Sequence, residues 1–188
     1  MRLVILDRDG VINEDSDDFI KSPEEFLPLP GSLDAIARLK RAGYTVAVAT
    51  NQSGLARGLF DEQTLEAMHR KLQDLLAPHG VRLDGIFYCP HGPDQGCDCR
   101  KPRPGLLKQI CAHFDTPLSG VPVIGDSLRD LQAARAVDAR PILVRSGKGR
   151  RTLARGEGLL GVPVFDDLAT AVDALLQDDP HAGVNTPE

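Results

Sequence analysis

Short apolar runs alternate along this chain with segments in which apolar residues recur at helical spacing. The apolar runs, each bounded by polar residues, Gly or Pro, predict strands at 2–6, 44–49, 84–88, 121–124, 141–144 and 162–165. Helices are predicted at 32–41, from the cap Asp61 to the stop at Pro78, from Pro104 onward, at 127–137 and at 168–176. The pattern therefore repeats a strand–helix unit through most of the sequence.

Repeated strand–helix units predict an α/β fold, a doubly wound parallel sheet covered by helices on both faces. We expect one domain over 1–177 and a flexible polar tail over 178–188. Between the first two strands only one helix and a loop at 13–28 fit, so no separate cap domain is expected. Ligands on such sheets bind at the carboxyl ends of the strands.

Composition narrows the class of protein. Hydrophobic residues make up 41% of the 188 residues and charged residues 26%, values typical of a soluble globular protein. A net charge of −5 argues against a nucleic-acid binder, and 4% aromatic residues without Trp argue against a base-stacking surface. No apolar stretch approaches the ~20 residues of a membrane span. The sequence opens without a signal-peptide pattern, so a cytoplasmic location is expected.

Carboxylates, a hydroxyl and basic residues follow the predicted strands. The residues in question are Asp7, Asp9, Thr50, Asn51, Gln52, Ser53, Arg100, Lys101, Asp126 and Asp130. The carboxyl ends of parallel strands share one edge of the sheet, so these side chains are expected to converge there. Any one Asp alone is best explained as a turn or helix cap, but the whole set is not. Carboxylate oxygens at that density suit Mg²⁺, which also binds substrate phosphates.

A C-x-H-x5-C-x-C segment follows the third strand and runs directly into Arg100 and Lys101. Its candidate zinc ligands are Cys89, His91, Cys97 and Cys99. Three thiolates and an imidazole complete a structural zinc tetrahedron and leave no open position for catalysis. A disulfide is disfavoured because a single residue separates the last two cysteines. Cys111 is expected to be a core thiol, and the other histidines, His69 among them, surface or helix residues.

The four motifs in this order resemble those of the haloacid dehalogenase (HAD) superfamily of phosphohydrolases. The motifs are Asp7-Arg8-Asp9-Gly10, Thr50, Lys101, and Gly125-Asp126 with Asp130. The metal loop ending in Cys-Arg-Lys-Pro is similar to a subgroup that holds heptose-bisphosphate phosphatases and histidinol-phosphate phosphatases. The segment from Thr50 to Gly58 resembles the heptose enzymes more. The short metal loop is nearer to the histidinol enzymes, which keeps that alternative open.

The resemblance implies a magnesium-dependent phosphatase. Asp7 would attack phosphorus to form an aspartyl-phosphate, and Asp9 would serve as general acid and then general base. The side chains of Asp7 and Asp126 and the backbone carbonyl of Asp9 would hold Mg²⁺. Thr50 and Lys101 would contact the phosphoryl oxygens, and Asp130 would orient Lys101 or a metal-bound water.

Specificity in an uncapped site has to come from loops. The expected substrate contacts are Asp15, Ser16, Asp17, Asp18, Asn51, Gln52, Ser53 and Arg100. Acids and amides suit sugar hydroxyls, and a guanidinium suits a second phosphate. The implied substrate is a heptose bisphosphate used to make nucleotide-activated heptose for lipopolysaccharide core, and the chain is expected to act as a monomer.

Two functions from other classes use part of this residue set. A zinc-binding interaction module would keep the cysteines but would not need Asp7, Asp9, Lys101 and Asp126 together. A nucleic-acid 3′-end phosphatase would use all four motifs, but it would require a basic groove, which the acidic net charge disfavours.

Overall fold

A computed structural model describes residues 1–179 of the chain. In this part of the chain, six parallel strands form one sheet in the order β3-β2-β1-β4-β5-β6. The strands are β1 (Arg2–Leu6), β2 (Tyr44–Asn51), β3 (Gly85–Cys89), β4 (Pro122–Gly125), β5 (Arg140–Val144) and β6 (Val164–Phe165). Because the strand order reverses beside β1, a crevice opens where β1 and β4 end, the usual ligand site of such sheets.

Within residues 1–179, six α-helices cover the two faces of the sheet. They are α1 (Ser32–Arg41), α2 (Glu62–Leu76), α3 (Gly105–Phe114), α4 (Leu128–Arg135), α5 (Gly149–Arg155) and α6 (Leu168–Asp178). Side chains cap several of them. The carboxylate of Asp61 accepts from the N–H of Thr64 (2.8 Å) at the start of α2, as the sequence predicts.

The side chains of the central strand β1 pack into two separate hydrophobic cores because they alternate between the two faces of the sheet. Val4 and Leu6 join a cluster with α1, α2 and α6, while Leu3 and Ile5 join a cluster with α3 and α4. Val4, Ile5 and Leu6 are fully buried. Burial on both faces explains why β1 is continuously apolar rather than alternating.

The doubly wound parallel sheet is confirmed. Between β1 and β2 the described chain holds a loop, a single 3₁₀ turn (Pro23–Glu25) and α1, so this region carries no cap domain. Among residues 1–179, no helix is long and apolar enough to cross a membrane.

Differences from the sequence-based expectations fall at element ends and in one short helix. Helix α5 was not predicted, because its seven residues are largely polar and show no clear apolar periodicity. Pro104 is the N-cap of α3, not its first residue. Helix α6 continues to Asp178, so the boundary expected after residue 177 falls inside it, and residues 180–188 of the expected tail lie outside the described residues.

Candidate active site and cysteine cluster

A tight turn after β1 brings two carboxylates together at the carboxyl edge of the sheet. Asp7 directly follows the strand, and its backbone N–H donates to the carbonyl of Ile124 in β4 (2.9 Å). Gly10 has a φ of +86°, and a Cβ there would lie 2.0 Å from Oδ2 of Asp126. Only glycine combines this backbone conformation with so close an approach to the second carboxylate.

Three carboxylates meet where β1 and β4 end. One oxygen each from Asp7, Asp126 and Asp130 lies within 4.8 Å of the others. Burial and the charge of Asp130 raise the pKa of Asp7 to about 7, and burial with the charge of Asp7 raises the pKa of Asp126 well above its usual value. Crowded, desolvated carboxylates suit a hard divalent cation, so these residues fit Mg²⁺. The third side-chain oxygen comes from Asp130, whereas the sequence predicts a backbone carbonyl from Asp9.

Lys101 is the cation that this cluster already contains. Its Nζ lies 2.7 Å from Oδ1 of Asp130 and 3.1 Å from Oδ1 of Asp7, and it donates to the carbonyl of Ala49 (2.7 Å). Burial opposes the charged form, but Asp130 and Asp7 outweigh it and raise the pKa of Lys101 above its usual range. Ser127 donates twice to the other oxygen of Asp130, through its N–H (3.1 Å) and its hydroxyl (2.9 Å). Asp130 therefore caps α4 and orients the lysine at once.

Asp9 has the opposite environment to Asp7. Its Oδ1 accepts from Arg8 and from Nδ2 of Asn13 (2.8 Å), and its Oδ2 accepts from Nε2 of Gln52 (3.0 Å). Burial raises the pKa of Asp9, but the Arg8 charge and these hydrogen bonds outweigh it, so the pKa lies below its usual value. The side chain remains 22% exposed and lines a cavity.

The last residues of β2 and the first residues after it line the cavity, and Asn51 among them also holds the lysine loop. Both amide atoms of Asn51 bond the backbone of Lys101, each at 3.0 Å, so Asn51 fixes the loop that carries the lysine. The Thr50 hydroxyl is buried and accepts from Gln52 (2.9 Å). Ser53 is 7% exposed and lines the cavity. Asn51, expected as a substrate contact, thus has a clear positioning role.

The start of α5 holds Asp126. The N–H of Lys148 donates to Oδ2 of Asp126 (2.8 Å), and the Thr152 hydroxyl donates to its carbonyl (2.8 Å). Ser146 donates to the carbonyl of Gly10 (2.7 Å), which ties the same loop to the β1 turn. The unpredicted helix α5 therefore stabilises one carboxylate of the metal-binding group.

The predicted zinc ligands converge at the end of β3. One ligand atom from each of Cys89, His91, Cys97 and Cys99 lies within 4.8 Å of the others. Nδ1 of His91 is 3.4 Å from the sulfur of Cys89 and 3.3 Å from that of Cys99, and all the cysteines are free thiols. Three sulfurs and one nitrogen at these separations fit a tetrahedral zinc ion.

The cavity beside Asp7 and Asp9 has a volume of about 340 Å³ and a basic rim. Arg57, Arg100, Arg129 and Lys148 line it. Burial and then the charges of Arg129 and Arg57 lower the pKa of Arg100, so the Arg100 guanidinium is repelled by both of the other two. Such a rim suits an anionic substrate.

Three of the four residues expected as substrate contacts in the acidic loop at 15–18, Asp15, Ser16 and Asp17, line the cavity. Asp15 lines the cavity but pairs with Nζ of Lys148 (3.3 Å), and Asp17 pairs with Arg151 at 2.9 and 3.1 Å. The Ser16 hydroxyl accepts from the N–H of Asp18 (3.1 Å). Asp18 is exposed and is absent from the cavity lining among the described residues. Two ion pairs therefore tie this loop to the start of α5 and fix its place beside the cavity.

Sequence reasoning missed several residues of the site. Arg8 and Asn13 hold Asp9, and Arg57, Arg129 and Lys148 form most of the basic rim. Lys148 follows β5, so extending the rule about strand ends to that strand identifies it. Arg129 follows β4 one residue before Asp130. Nothing local in the sequence marks Arg8 as buried.

Comparison with known families agrees with this geometry. A family described as HAD-hydrolase-like matches residues 98–171, and one described as polynucleotide kinase 3 phosphatase matches residues 3–127. The fold and the acid–lysine cluster therefore define a HAD-like phosphatase, a hydrolase of phosphoric monoesters.

Several relatives match along nearly their whole length. The D-glycero-beta-D-manno-heptose-1,7-bisphosphate 7-phosphatase of Pseudomonas aeruginosa is 60% identical, covering 93% of this chain and 98% of that protein. The protein of the same name from Bordetella bronchiseptica is 58% identical over 95% of this chain and 99% of its own. The chain therefore belongs to the family of D-glycero-beta-D-manno-heptose-1,7-bisphosphate 7-phosphatases.

Solved structures lead to the same family. The D,D-heptose 1,7-bisphosphate phosphatase of B. bronchiseptica, complexed with magnesium and phosphate, has a TM-score of 0.93 at 57% identity and covers 95% of this chain and 100% of that one. The enzyme of the same name from Burkholderia thailandensis has a TM-score of 0.75 at 46% identity, with coverage of 94% and 99%.

The buried Lys101–Asp130 pair generates a prediction about stability. Asp130→Asn leaves the buried Lys101 ammonium with one carboxylate partner fewer, so we expect the free energy of unfolding to fall by about 1–3 kcal/mol. This is less than the full cost of breaking a buried pair, because the change also relieves repulsion between Asp130 and Asp7. Urea denaturation without added metal measures it. The exposed Asp34, paired with Arg38 on α1, gives the control: Asp34→Asn should change stability by less than ~0.5 kcal/mol. Equal stability of wild type and Asp130→Asn would contradict the prediction.

Proposed function

We propose that this protein is a magnesium-dependent phosphatase that removes the 7-phosphate of D-glycero-β-D-manno-heptose 1,7-bisphosphate. The observation that carries the proposal is the placement of Asp7 beside Lys101 and two further buried carboxylates, below a rim of arginines. Full-length relatives at 57–60% identity carry the name of this activity. The product would enter the synthesis of nucleotide-activated heptose.

Asp7 is the proposed nucleophile. Its carboxylate stays 14% exposed at the cavity floor, while Lys101 holds Oδ1 from below. Attack on phosphorus would form an aspartyl-phosphate and release the sugar hydroxyl. Asp7 and Asp126, with the backbone carbonyl of Asp9, would hold Mg²⁺, which when bound offsets the repulsion between nucleophile and phosphate.

Asp9 is the proposed acid and base. As the bond from phosphorus to the sugar oxygen breaks, Asp9 would give a proton to the leaving oxygen. The resulting carboxylate would take a proton from the water that then attacks the aspartyl-phosphate. The hydrogen bonds on Asp9 stabilise its ionised form, which donation of the proton produces and from which the second half-reaction starts.

Thr50 and Lys101 are the proposed donors to the phosphoryl oxygens. Both are buried, and both are fixed by neighbours: the Thr50 hydroxyl by Gln52 and the lysine by Asp130. Preorganised donors stabilise the charge that moves onto the phosphoryl group without reorganising during the reaction.

The basic rim is the proposed site of the second phosphate. Arg100 follows the cysteine cluster, lines the cavity and donates to the carbonyl of His91 (3.3 Å). The nearby positive charges of Arg57 and Arg129 would be relieved by a phosphate dianion. We therefore add these two arginines to Arg100 as substrate contacts, with Gln52 and Ser53 beside the sugar.

Zinc is proposed to be structural. Cys99 lies directly before Arg100 and Lys101, so an ion bound by Cys89, His91, Cys97 and Cys99 would fix the loop that presents both basic residues. The protein is further proposed to act as a cytoplasmic monomer on a small molecule, without nucleic acid or a membrane.

A substrate panel tests the proposed function. The β-anomer of the bisphosphate should exceed the α-anomer, fructose 1,6-bisphosphate, histidinol phosphate and a 3′-phosphorylated oligonucleotide by at least about tenfold in kcat/KM. Phosphate release with Mg²⁺ present is the measurement. Asp7→Asn is the control and should abolish turnover of every substrate, because an amide is no nucleophile. Higher kcat/KM for histidinol phosphate or for the oligonucleotide would replace the proposed substrate with that one.

Zinc content tests the role of the cysteine cluster. Protein purified without chelator should contain one Zn²⁺ per chain by elemental analysis. Cys99→Ala should lose the ion, lower the melting temperature by at least about 5 °C and reduce turnover, because Lys101 follows two residues later. Cys111→Ala, which removes a thiol outside the cluster, should retain zinc. Wild-type protein with far less than one zinc per chain would contradict the assignment.

The role of Arg100 predicts a selective loss of substrate affinity. Arg100→Ala should raise KM for the bisphosphate about tenfold or more, the worth of one charge-assisted hydrogen bond, and leave KM for p-nitrophenyl phosphate nearly unchanged. Arg82→Ala, an exposed change just before β3 at the amino edge of the sheet, is the control. Equal losses on both substrates would show that Arg100 supports the chemistry or the fold.

A further inference from the structure

Arg8 is a buried charge that the proposed chemistry does not use. It lies between the two catalytic aspartates in sequence, yet its side chain is fully buried. Its guanidinium carbon lies 5.4 Å from the centroid of the Phe26 ring, a fully buried side chain of the core beneath α1 and α2. Burying a guanidinium costs free energy unless its N–H groups are hydrogen-bonded, so the hydrogen-bond partners of Arg8 indicate its role.

Two of those hydrogen bonds end on one oxygen of Asp9. Nε and Nη2 of Arg8 donate to Oδ1 at 3.0 and 2.7 Å, and Nδ2 of Asn13 donates to the same oxygen at 2.8 Å. Oδ2 accepts only from Gln52 among the described residues. With three donors on Oδ1, only Oδ2 remains to exchange a proton with substrate or water.

The third guanidinium nitrogen is held from α2. Nη1 lies 3.2 Å from Nε2 of His69. Arginine has no acceptor atom, so Nε2 of His69 must accept, and the ring is neutral with its proton on Nδ1. Burial and the Arg8 charge lower the pKa of His69 to about 3, which agrees with a neutral ring. A neutral acceptor satisfies the guanidinium without cancelling the charge that faces Asp9.

We propose that Arg8 is a positioning residue: held in place by His69 and Phe26, it fixes Oδ1 of Asp9 by hydrogen bonds and leaves Oδ2 as the atom that exchanges the proton. The proposal rests on the acid–base role proposed for Asp9. Oδ2–H gives its proton to the sugar oxygen as the phosphorus–oxygen bond breaks and Asp7 gains the phosphoryl group. Oδ2 then takes a proton from water as the water oxygen bonds phosphorus and the Asp7 carboxylate leaves.

The test uses leaving groups that differ in their need for a proton. p-Nitrophenolate leaves without a proton, whereas an alkoxide needs one in order to leave. The value of kcat/KM for an alkyl phosphate therefore depends on the proton donor, and the value for p-nitrophenyl phosphate is insensitive to it. Arg8→Lys keeps a positive charge but loses the paired donors to Oδ1. We expect kcat/KM to fall about tenfold or more for the alkyl phosphate and less than about threefold for the aryl phosphate. General acid–base catalysis contributes about 10²–10⁴-fold to the rate, and Arg8→Lys should remove part of that contribution.

Asp9→Asn separates the two hypotheses. If Asp9→Asn fails to penalise the alkyl phosphate selectively, the role proposed for Asp9 is wrong. If Asp9→Asn does so and Arg8→Lys does not, the inference about Arg8 is wrong. The double variant should be no slower on the alkyl phosphate than Asp9→Asn alone, and a further tenfold loss would show that Arg8 acts independently and overturn the proposal.

Variants of His69 provide a second test of the proposal if Arg8→Lys does not fold. His69→Phe removes the acceptor of Nη1 and should lower the alkyl-to-aryl ratio of kcat/KM about threefold, a fraction of the general-acid effect. His69→Gln retains an acceptor and should restore the wild-type ratio. His113→Phe, the same change on the exposed side of α3, is the control. An unchanged ratio in His69→Phe, or equal loss in all three variants, would overturn the bracing role.

Discussion

The contact of Lys101 with Asp7 and Asp130 is the interaction on which the site depends. Each partner comes from a different part of the fold: Asp7 from the end of β1, Asp130 from the first turn of α4, and the lysine from the loop after the cysteine cluster. Without the ammonium, buried carboxylates would repel one another at the one edge where both hydrophobic faces of the sheet end. These three residues therefore connect separate parts of the fold and also form the floor of the cavity.

One lysine does not balance the cluster. Three carboxylates meet here, so their formal negative charge exceeds the charge of the one ammonium, and burial together with their mutual repulsion raises the pKa of Asp7 and of Asp126. A divalent cation would remove this excess and lower both pKa values, which couples metal binding to release of protons. Arg57, Arg100 and Arg129 line the cavity, where their charges can meet an incoming phosphate.

The sequence predicts the parts of this site that follow from strand order. Any residue at the carboxyl end of β1, β2 or β4, or directly after it, reaches the same edge, so Asp7, Asp126 and Thr50 could be placed together without coordinates. The roles of the acidic loop could not, because Asp17 meets Arg151, 134 positions later, on a helix with no apolar periodicity. Asn51 shows the same limit: the sequence places it at the edge, but only packing shows that it faces the lysine loop.

Two aspartates separated by one residue have opposite environments, and this difference suits them to different tasks. Burial and neighbouring acids raise the pKa of Asp7 to about 7, whereas the Arg8 charge and donors on both carboxylate oxygens give Asp9 a lowered pKa. The single residue between them produces the contrast, since the strand-end turn sends the Arg8 side chain into the core beneath Asp9. A cation beside Asp7 would bring its pKa down as well, so both carboxylates would be ionised before substrate arrives. A bound phosphate then adds negative charge beside Asp9 and favours the protonated form that the leaving oxygen requires.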